Sequence, residues 1–137
     1  MKKIFVLPVL CLLLCGCSTM QVSRLTEVNR KNLARLSLDM DKDRALAVMG
    51  KSHSIYHCDR GVSKQANDVI VDNPYRTEKM QLSGRTLEII YYVTDFKNDN
   101  CMIDNEELTP LVFENSKLIG WGNIFLSKIA SDIKQDK

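Results

Sequence analysis

The sequence predicts an α+β domain, because two short amphipathic stretches come first, strand-like alternation follows, and one more apolar stripe closes the chain. Val22, Leu25, Val28, Leu33 and Leu36 fall within one arc of a helical wheel, with Arg24, Glu27, Arg30, Lys31 and Arg35 mostly outside it. A first helix is expected there. A second spans about Lys42 to Met49: Asp41 can cap it, Asp43 suits its positive end, Ala45, Val48 and Met49 form a narrow stripe, and Gly50 stops it. Thr77–Leu82 and Thr86–Thr94 flank Ser83-Gly84, where a two-residue turn pairs Met80 with Leu87 and sets Lys79 opposite Glu88. The second of these segments has Ile89 and Tyr91 on one side and Ile90 and Tyr92 on the other, as a central strand would. Another hairpin runs from about Leu108 to Trp121 around Asn115-Ser116, with Phe113 opposite Leu118 and Val112 opposite Ile119. Pro110 lacks an amide donor and suits a strand's beginning or an edge. Asp59 to Arg76 reads as a loop. After Gly122, Phe125, Leu126, Ile129 and Ile133 share one side of a last short helix.

The N-terminal end carries the most specific signal. Met1-Lys2-Lys3 is basic, and the apolar run Ile4 to Leu14 is far short of the roughly 20 residues that span a bilayer, so it reads as a signal peptide. Leu14-Cys15-Gly16-Cys17 then resembles a bacterial lipobox with Cys17 as the modified residue; Cys15 competes poorly, because Leu13 and Leu14 would occupy positions that need small side chains. That resemblance implies cleavage after residue 16, diacylglycerol on Cys17 and acylation of its amino group, an anchor of several chains. Ser18 follows where an inner-membrane retention signal has Asp, which implies the outer membrane. The expected organisation is a signal peptide over 1–16, a lipidated N-terminus and tether over 17–23, and one domain over 24–137. At about 3.4 Å per residue the tether reaches on the order of 20 Å, so the domain sits close to the membrane.

Nineteen Lys and Arg face 17 Asp and Glu. Loss of Lys2 and Lys3 with the signal peptide removes the surplus, and a neutral chain gains no long-range attraction to polyanions. Nucleic acid and bulk acidic lipid are therefore not expected partners. Of the five cysteines, Cys11 and Cys15 lie in the signal and Cys17 is lipidated, leaving Cys58 and Cys101. In an oxidising periplasm an even pair reads as a disulfide, contributing about 4 kcal/mol in the chain-entropy account. A zinc site from His53, His57, Cys58 and Cys101 is the alternative, but its spacing is loose. His57 and Cys58 make a poor catalytic pair, since neighbours in an extended segment point to opposite faces.

Leu36-Ser37-Leu38-Asp39-Met40-Asp41-Lys42-Asp43-Arg44-Ala45-Leu46-Ala47-Val48-Met49-Gly50 resembles the two-helix signature of the small protein A / outer-membrane lipoprotein A (BamE-like) superfamily, whose best-known relative is the E subunit of the outer-membrane barrel-assembly machinery. Asp39 stands where that family typically has Gly, and Lys51-Ser52 where it has Pro. Leu87-Glu88-Ile89-Ile90-Tyr91-Tyr92 and the run from Leu108-Thr109-Pro110-Leu111-Val112-Phe113 to Gly120-Trp121-Gly122 resemble an uncharacterised lipoprotein family of unknown function. Together these resemblances imply two N-terminal helices packed on one face of a small antiparallel sheet.

Other features have blander explanations. The acidic stretch from Asp95 to Glu107 lacks the Gly and ligand spacing of an EF-hand, and reads as a solvated loop pinned by Cys101. Glu106-Glu107 fixes no pair of carboxyls across a cleft. Tyr75, Tyr91, Tyr92 and Trp121 read as core before they read as a ligand groove. No nucleophile, base and orienting group can be assembled, so catalysis is not expected, nor any cofactor beyond the covalent lipid on Cys17. The expected function is a non-enzymatic, outer-membrane-anchored periplasmic module that binds an envelope protein, with Ile90, Tyr92 and Trp121 as its candidate surface. A small-ligand or cell-wall binding lipoprotein is the alternative.

Overall fold

The computed structural model describes residues 20–58, 67–97 and 102–132. Over these residues the fold is α+β, with three α-helices and two sheets. Strand β1 (Met20–Gln21) leads directly into helix α1 (Val22–Leu33), and helix α2 (Lys42–Met49) follows. Strands β2 (Ser52–Cys58) and β3 (Asn67–Asn73) pair antiparallel, with β1 added parallel to β2. Strands β4 (Arg76–Leu82), β5 (Arg85–Val93), β6 (Leu108–Glu114) and β7 (Lys117–Trp121) form an antiparallel meander, and helix α3 (Asn123–Asp132) closes the described chain. Strand β1 and the first residues of α1 lie within the 17–23 stretch read as the tether. Val22 is already buried, because the apolar arc of the first helix includes it.

The expected hairpin register holds in the first case and slips in the second. Met80 pairs with Leu87 and Lys79 with Glu88, across a turn in which Ser83 (φ 47°) and Gly84 (φ 79°) are both left-handed, as a two-residue turn matched to strand twist requires. The Glu88 carboxylate takes its cation from Lys42, at 3.0 Å. Phe113 pairs with Leu118 around the left-handed Asn115 and Ser116, but a bulge then places Val112 opposite Gly120 instead of Ile119. Gly120 has its own constraint: a Cβ there would lie 2.4 Å from the Phe125 ring, so α3 can close on the sheet only over a glycine. Pro110 lies in an interior strand, not at an edge. Its carbonyl accepts from Gly122 N at 2.8 Å, so its nitrogen faces the same side, just past the last β6–β7 pair, where no ladder bond is lost.

A single sheet with helices on one face was the expectation, and the chain departs from it in two ways. There is a second sheet, built from β1 to β3, and the meander is covered on both faces. Leu87, Ile89, Tyr91 and Val93 pack with Val22, Leu25 and Val71 and with Phe125, Leu126 and Ile129 of α3. The alternate row, Ile90 and Tyr92, packs with Ala45 and Met49 of α2 and with Leu36, Leu111, Phe113 and Leu118. Helix α1 contributes to both sides, with Val22 and Leu25 in the first cluster and Leu33 in the second, so it passes the end of β5. At that crossing Asn29, fully buried, donates to the Val93 carbonyl (2.8 Å) and to Asn73 Oδ1 (2.9 Å), while Asn73 Nδ2 returns a bond to Asn29 Oδ1 (3.2 Å).

Asp41 stands at the N-cap of α2 as expected, but its side chain makes no capping hydrogen bond. Its carboxylate accepts from Lys117 Nζ at 2.8 Å, which lowers its pKa below the usual range, while the backbone of 39–42 bonds to Leu118 and Ser116. This strap covers the outer edge of β7. Asp39 enters it in the left-handed region (φ 63°), and Gly50 (φ 78°) ends α2 as expected. The stretch after β5 is organised by Glu107, which is buried: its carboxylate accepts from Lys97 N (2.6 Å) and Asp104 N (2.9 Å), closing a single 3-10 turn at Asn105–Glu107. The expected pinning by Cys101 and the apolar Ile133 lie outside the described residues.

Two predictions follow from this core. Replacing Asn29 by Ala leaves an amide and a carbonyl buried without partners, and should cost about 2–4 kcal/mol in urea unfolding; adding Asn73→Ala should cost less than the sum of the two singles. The Tyr92 hydroxyl is buried with no hydrogen-bond partner among the described residues. Tyr92→Phe should therefore raise stability by about 1 kcal/mol. Burial pushes the Tyr92 phenol up to about 12. The folded state thus holds that proton where the unfolded chain, titrating near pH 10, releases it, so stability falls with rising pH between about 10 and 12, by roughly 2–3 kcal/mol in all. Alkaline unfolding curves of the wild type and Tyr92→Phe should diverge across that window.

Candidate functional site

Ile90 and Tyr92 cannot serve as a partner surface. Ile90 is 3% exposed and Tyr92 0%, and the cover over them is supplied by the chain's own α2. The pattern behind the expectation was sound, since both sides of β5 are apolar, but an eight-residue helix with a narrow stripe proved enough to close the second side. Trp121 is half-buried against the same cluster and pairs with Leu111 at the end of the meander. Cys17 and Cys101 lie outside the described residues. Cys58 ends β2, paired in register with Asn67.

The sheet surface left open belongs to β2 and β3. In register, His53 faces Asp72, Ile55 faces Ile70, Ser54 faces Val71 and Tyr56 faces Val69. Strand alternation divides these into two rows. Ser54, Tyr56, Val69 and Val71 turn toward the core, where the Tyr56 ring meets Phe96 edge-on at 4.8 Å. His53, Ile55, Ile70 and Asp72 form the outward row, in which Ile70 is 68% exposed and Ile55 half-buried beside it. The His53 imidazole meets the Asp72 carboxylate at 2.6 Å, with both side chains mostly in solvent. This row was hard to find in the sequence because its polarity is inverted: the isoleucines face out and a serine faces in.

The His53–Asp72 pair invites comparison with hydrolytic machinery, and the geometry declines it. Ser52 precedes His53 on the same strand, so their side chains leave on opposite faces, and among the described residues no hydroxyl bonds to the imidazole's second nitrogen. The zinc reading fares no better at its core, for His53 and His57 stand about 13 Å apart along a strand, too far to share one ion. Among the described residues no group of three or more metal-ligating side chains converges. Of the carboxylates in the 95–107 stretch, Glu107 is committed to backbone amides and Asp95 to the Phe96 amide and, at 3.9 Å, to Arg30.

Two shallow depressions meet at Lys51. One, of about 330 Å³, is lined by Lys51, Ser52, His53, Asp72, Asn73 and Pro74; the other, of about 460 Å³, by Asp43, Leu46, Ala47, Gly50 and Lys51. Neither is an enclosed apolar pocket with converging polar groups, the form a small-molecule site usually takes. The four expected aromatics do not gather into a groove either. Tyr91 is buried with Arg76 stacked 4.2 Å over its ring and its hydroxyl donating to Glu78 at 3.1 Å, an arrangement that ties β4 to β5; burial raises its pKa. No helix among the described residues is long and apolar enough to cross a membrane.

No curated protein and no solved structure matches the chain. One family profile does match, over residues 52–128, from the first residue of β2 into α3 and so across β2 to β7. It carries the description Protein of unknown function (DUF3192) and covers more than half of the chain. The chain belongs to that family.

Proposed function

We propose that this chain is a lipoprotein of the outer membrane of a Gram-negative bacterium, anchored on the periplasmic face through acyl chains on Cys17, and that it works by binding another envelope protein and not by catalysis. The anchor reading is supported by Leu14-Cys15-Gly16-Cys17 after a short apolar run. Residues 1–16 are then a cleaved signal, and the domain starts almost at the lipid, since β1 begins at Met20. In that oxidising compartment Cys58 and Cys101 join as a disulfide. Confinement to a thin layer at the membrane raises the effective concentration for membrane-bound partners, so a modest interface suffices.

The observation that carries the binding role is the outward face of β2–β3. Ile70 lies there 68% exposed beside the half-buried Ile55, next to the His53–Asp72 pair. An exposed apolar centre rimmed by polar groups is the form of a protein-binding surface, whereas the depressions at Lys51 are too open to enclose a small ligand. Kinship with the small protein A / outer-membrane lipoprotein A superfamily is part of this proposal. It is supported by Asp39, which stands at the position where that family has Gly and adopts the left-handed conformation that favours Gly.

Two experiments bear on the reading. Metabolic labelling with palmitate should mark the wild type and Cys15→Ala but not Cys17→Ala, and equal labelling of both variants would sink the anchor assignment. In intact cells, Ile70→Glu should keep the circular dichroism and melting curve of the wild type, because the side chain is already in solvent, yet lose the crosslinks to envelope proteins seen by mass spectrometry. Unchanged crosslinks would remove this face from consideration.

A further inference from the structure

We propose that the outward side of α1 docks on anionic phospholipid headgroups of the same membrane, laying the helix along the bilayer surface; this rests on the reading of Cys17 as the lipidated residue. Arg24, Val28 and Lys31 recur at helical spacing on the exposed side of α1, and Arg35 continues the stripe in the turn that follows. The opposite side of the helix carries the buried Val22, Leu25 and Asn29. Val28, 37% exposed, lies between the cations, so the stripe offers positive charge to headgroups and an apolar side chain to the boundary beneath them.

The charges on this helix are unequal. Glu27 is its only acid, and it is engaged by Lys31 at 2.7 Å; Arg30, on the flank, faces Asp95 at 3.9 Å. Arg24 and Arg35 have no carboxylate within salt-bridge distance among the described residues. With the mature chain neutral overall, this local excess is balanced by acids elsewhere, including Asp39, Asp41 and Asp43 of the strap and α2. A negatively charged surface attracts the one region and repels the other, which fixes an orientation.

Chain length makes the contact unavoidable in reach. From Cys17 to Met20 is about 10 Å at full extension, and α1 itself is about 18 Å long. Its whole outward side is thus within a few nanometres of the headgroups to which the acyl chains are tied. Weak surface electrostatics that would hold nothing from bulk solution become effective when an anchor supplies the proximity.

The test uses the full lipidated chain in vesicles of phosphatidylcholine alone or with about 30% phosphatidylglycerol, the anionic lipid that attracts Lys and Arg. An environment-sensitive fluorescent amino acid replaces Val28 in one sample and Ile124, 88% exposed on α3, in another, with a quencher on the lipid headgroups. Quenching at position 28 should rise severalfold with the anionic lipid and vanish in about 0.5 M salt, where the screening length is only a few ångströms. Arg24→Glu with Arg35→Glu should abolish it, and the milder Arg24→Gln with Arg35→Gln should reduce the contact population about fivefold per cation. Position 124 should respond to none of these changes. Equal quenching at position 28 in both lipids, with the chain still vesicle-bound, overturns the proposal while leaving the anchor intact. Absence of lipid mass on Cys17 overturns the anchor reading and the proposal with it.

Discussion

Asn29 and Asn73 exchange hydrogen bonds at the point where α1, the end of β3 and the end of β5 come together, and water has no access to replace those bonds. The two sheets form separate ladders, joined through packing, through the Tyr75 amide on the Tyr91 carbonyl, and through this amide pair. A buried amide without its partner is costly, so each asparagine constrains the position of the other to within hydrogen-bond distance. Once α1 is fixed at this crossing, Val22 and Leu25 enter one cluster and Leu33 the other, and the strap and α2 are delivered to the far side of the meander. Hydrophobic burial provides most of the driving force, but it is non-directional; the amide pair gives the arrangement its geometry.

The helices and the meander were legible because their signals are local. Apolar spacing, Gly50, and the left-handed turn pairs Ser83-Gly84 and Asn115-Ser116 each act over a few residues, and the structure follows them closely. The bulge after Val112 was not legible: it sets Gly120 opposite Val112, and Gly120 lies under the Phe125 ring, a neighbour brought there only by the return of a helix. The small sheet was missed for a different reason. β2 buries Ser54 and turns Ile55 outward, while β3 begins and ends with Asn and Asp residues that ordinarily mark turns. Asp41 shows the same limit at a single residue: the sequence offers it as a cap, and a lysine distant in sequence takes its carboxylate instead.

For the candidate site, the sequence spoke about amounts and was silent about assignments. Apolar residues on both sides of β5 required cover on both sides, but nothing in the strand distinguishes a helix of the same chain from a partner protein. The structure gives the cover to α2 and moves the open surface to β2–β3, where an exposed Ile70 sits among polar neighbours. An apolar side chain that faces solvent leaves no mark in a periodicity, because it breaks the pattern it would have to be read from.

The placement of α1 separates two boundaries that are often treated as one. The family match begins at Ser52, yet the residues before it supply Leu25 to one side of the meander, Ala45 and Met49 to the other, and Asn29 at the end of β5. A fragment cut to 52–128 would keep every strand of the meander and lose the lid over Tyr92, the cover on the edge of β7 and the amide that Asn73 needs. Its sheet would bare the Ile90–Tyr92 face and leave one more edge unpaired, a form prone to self-association. The unit that folds is therefore larger than the stretch over which the family match runs, and the difference is borne by the part of the chain nearest the proposed anchor.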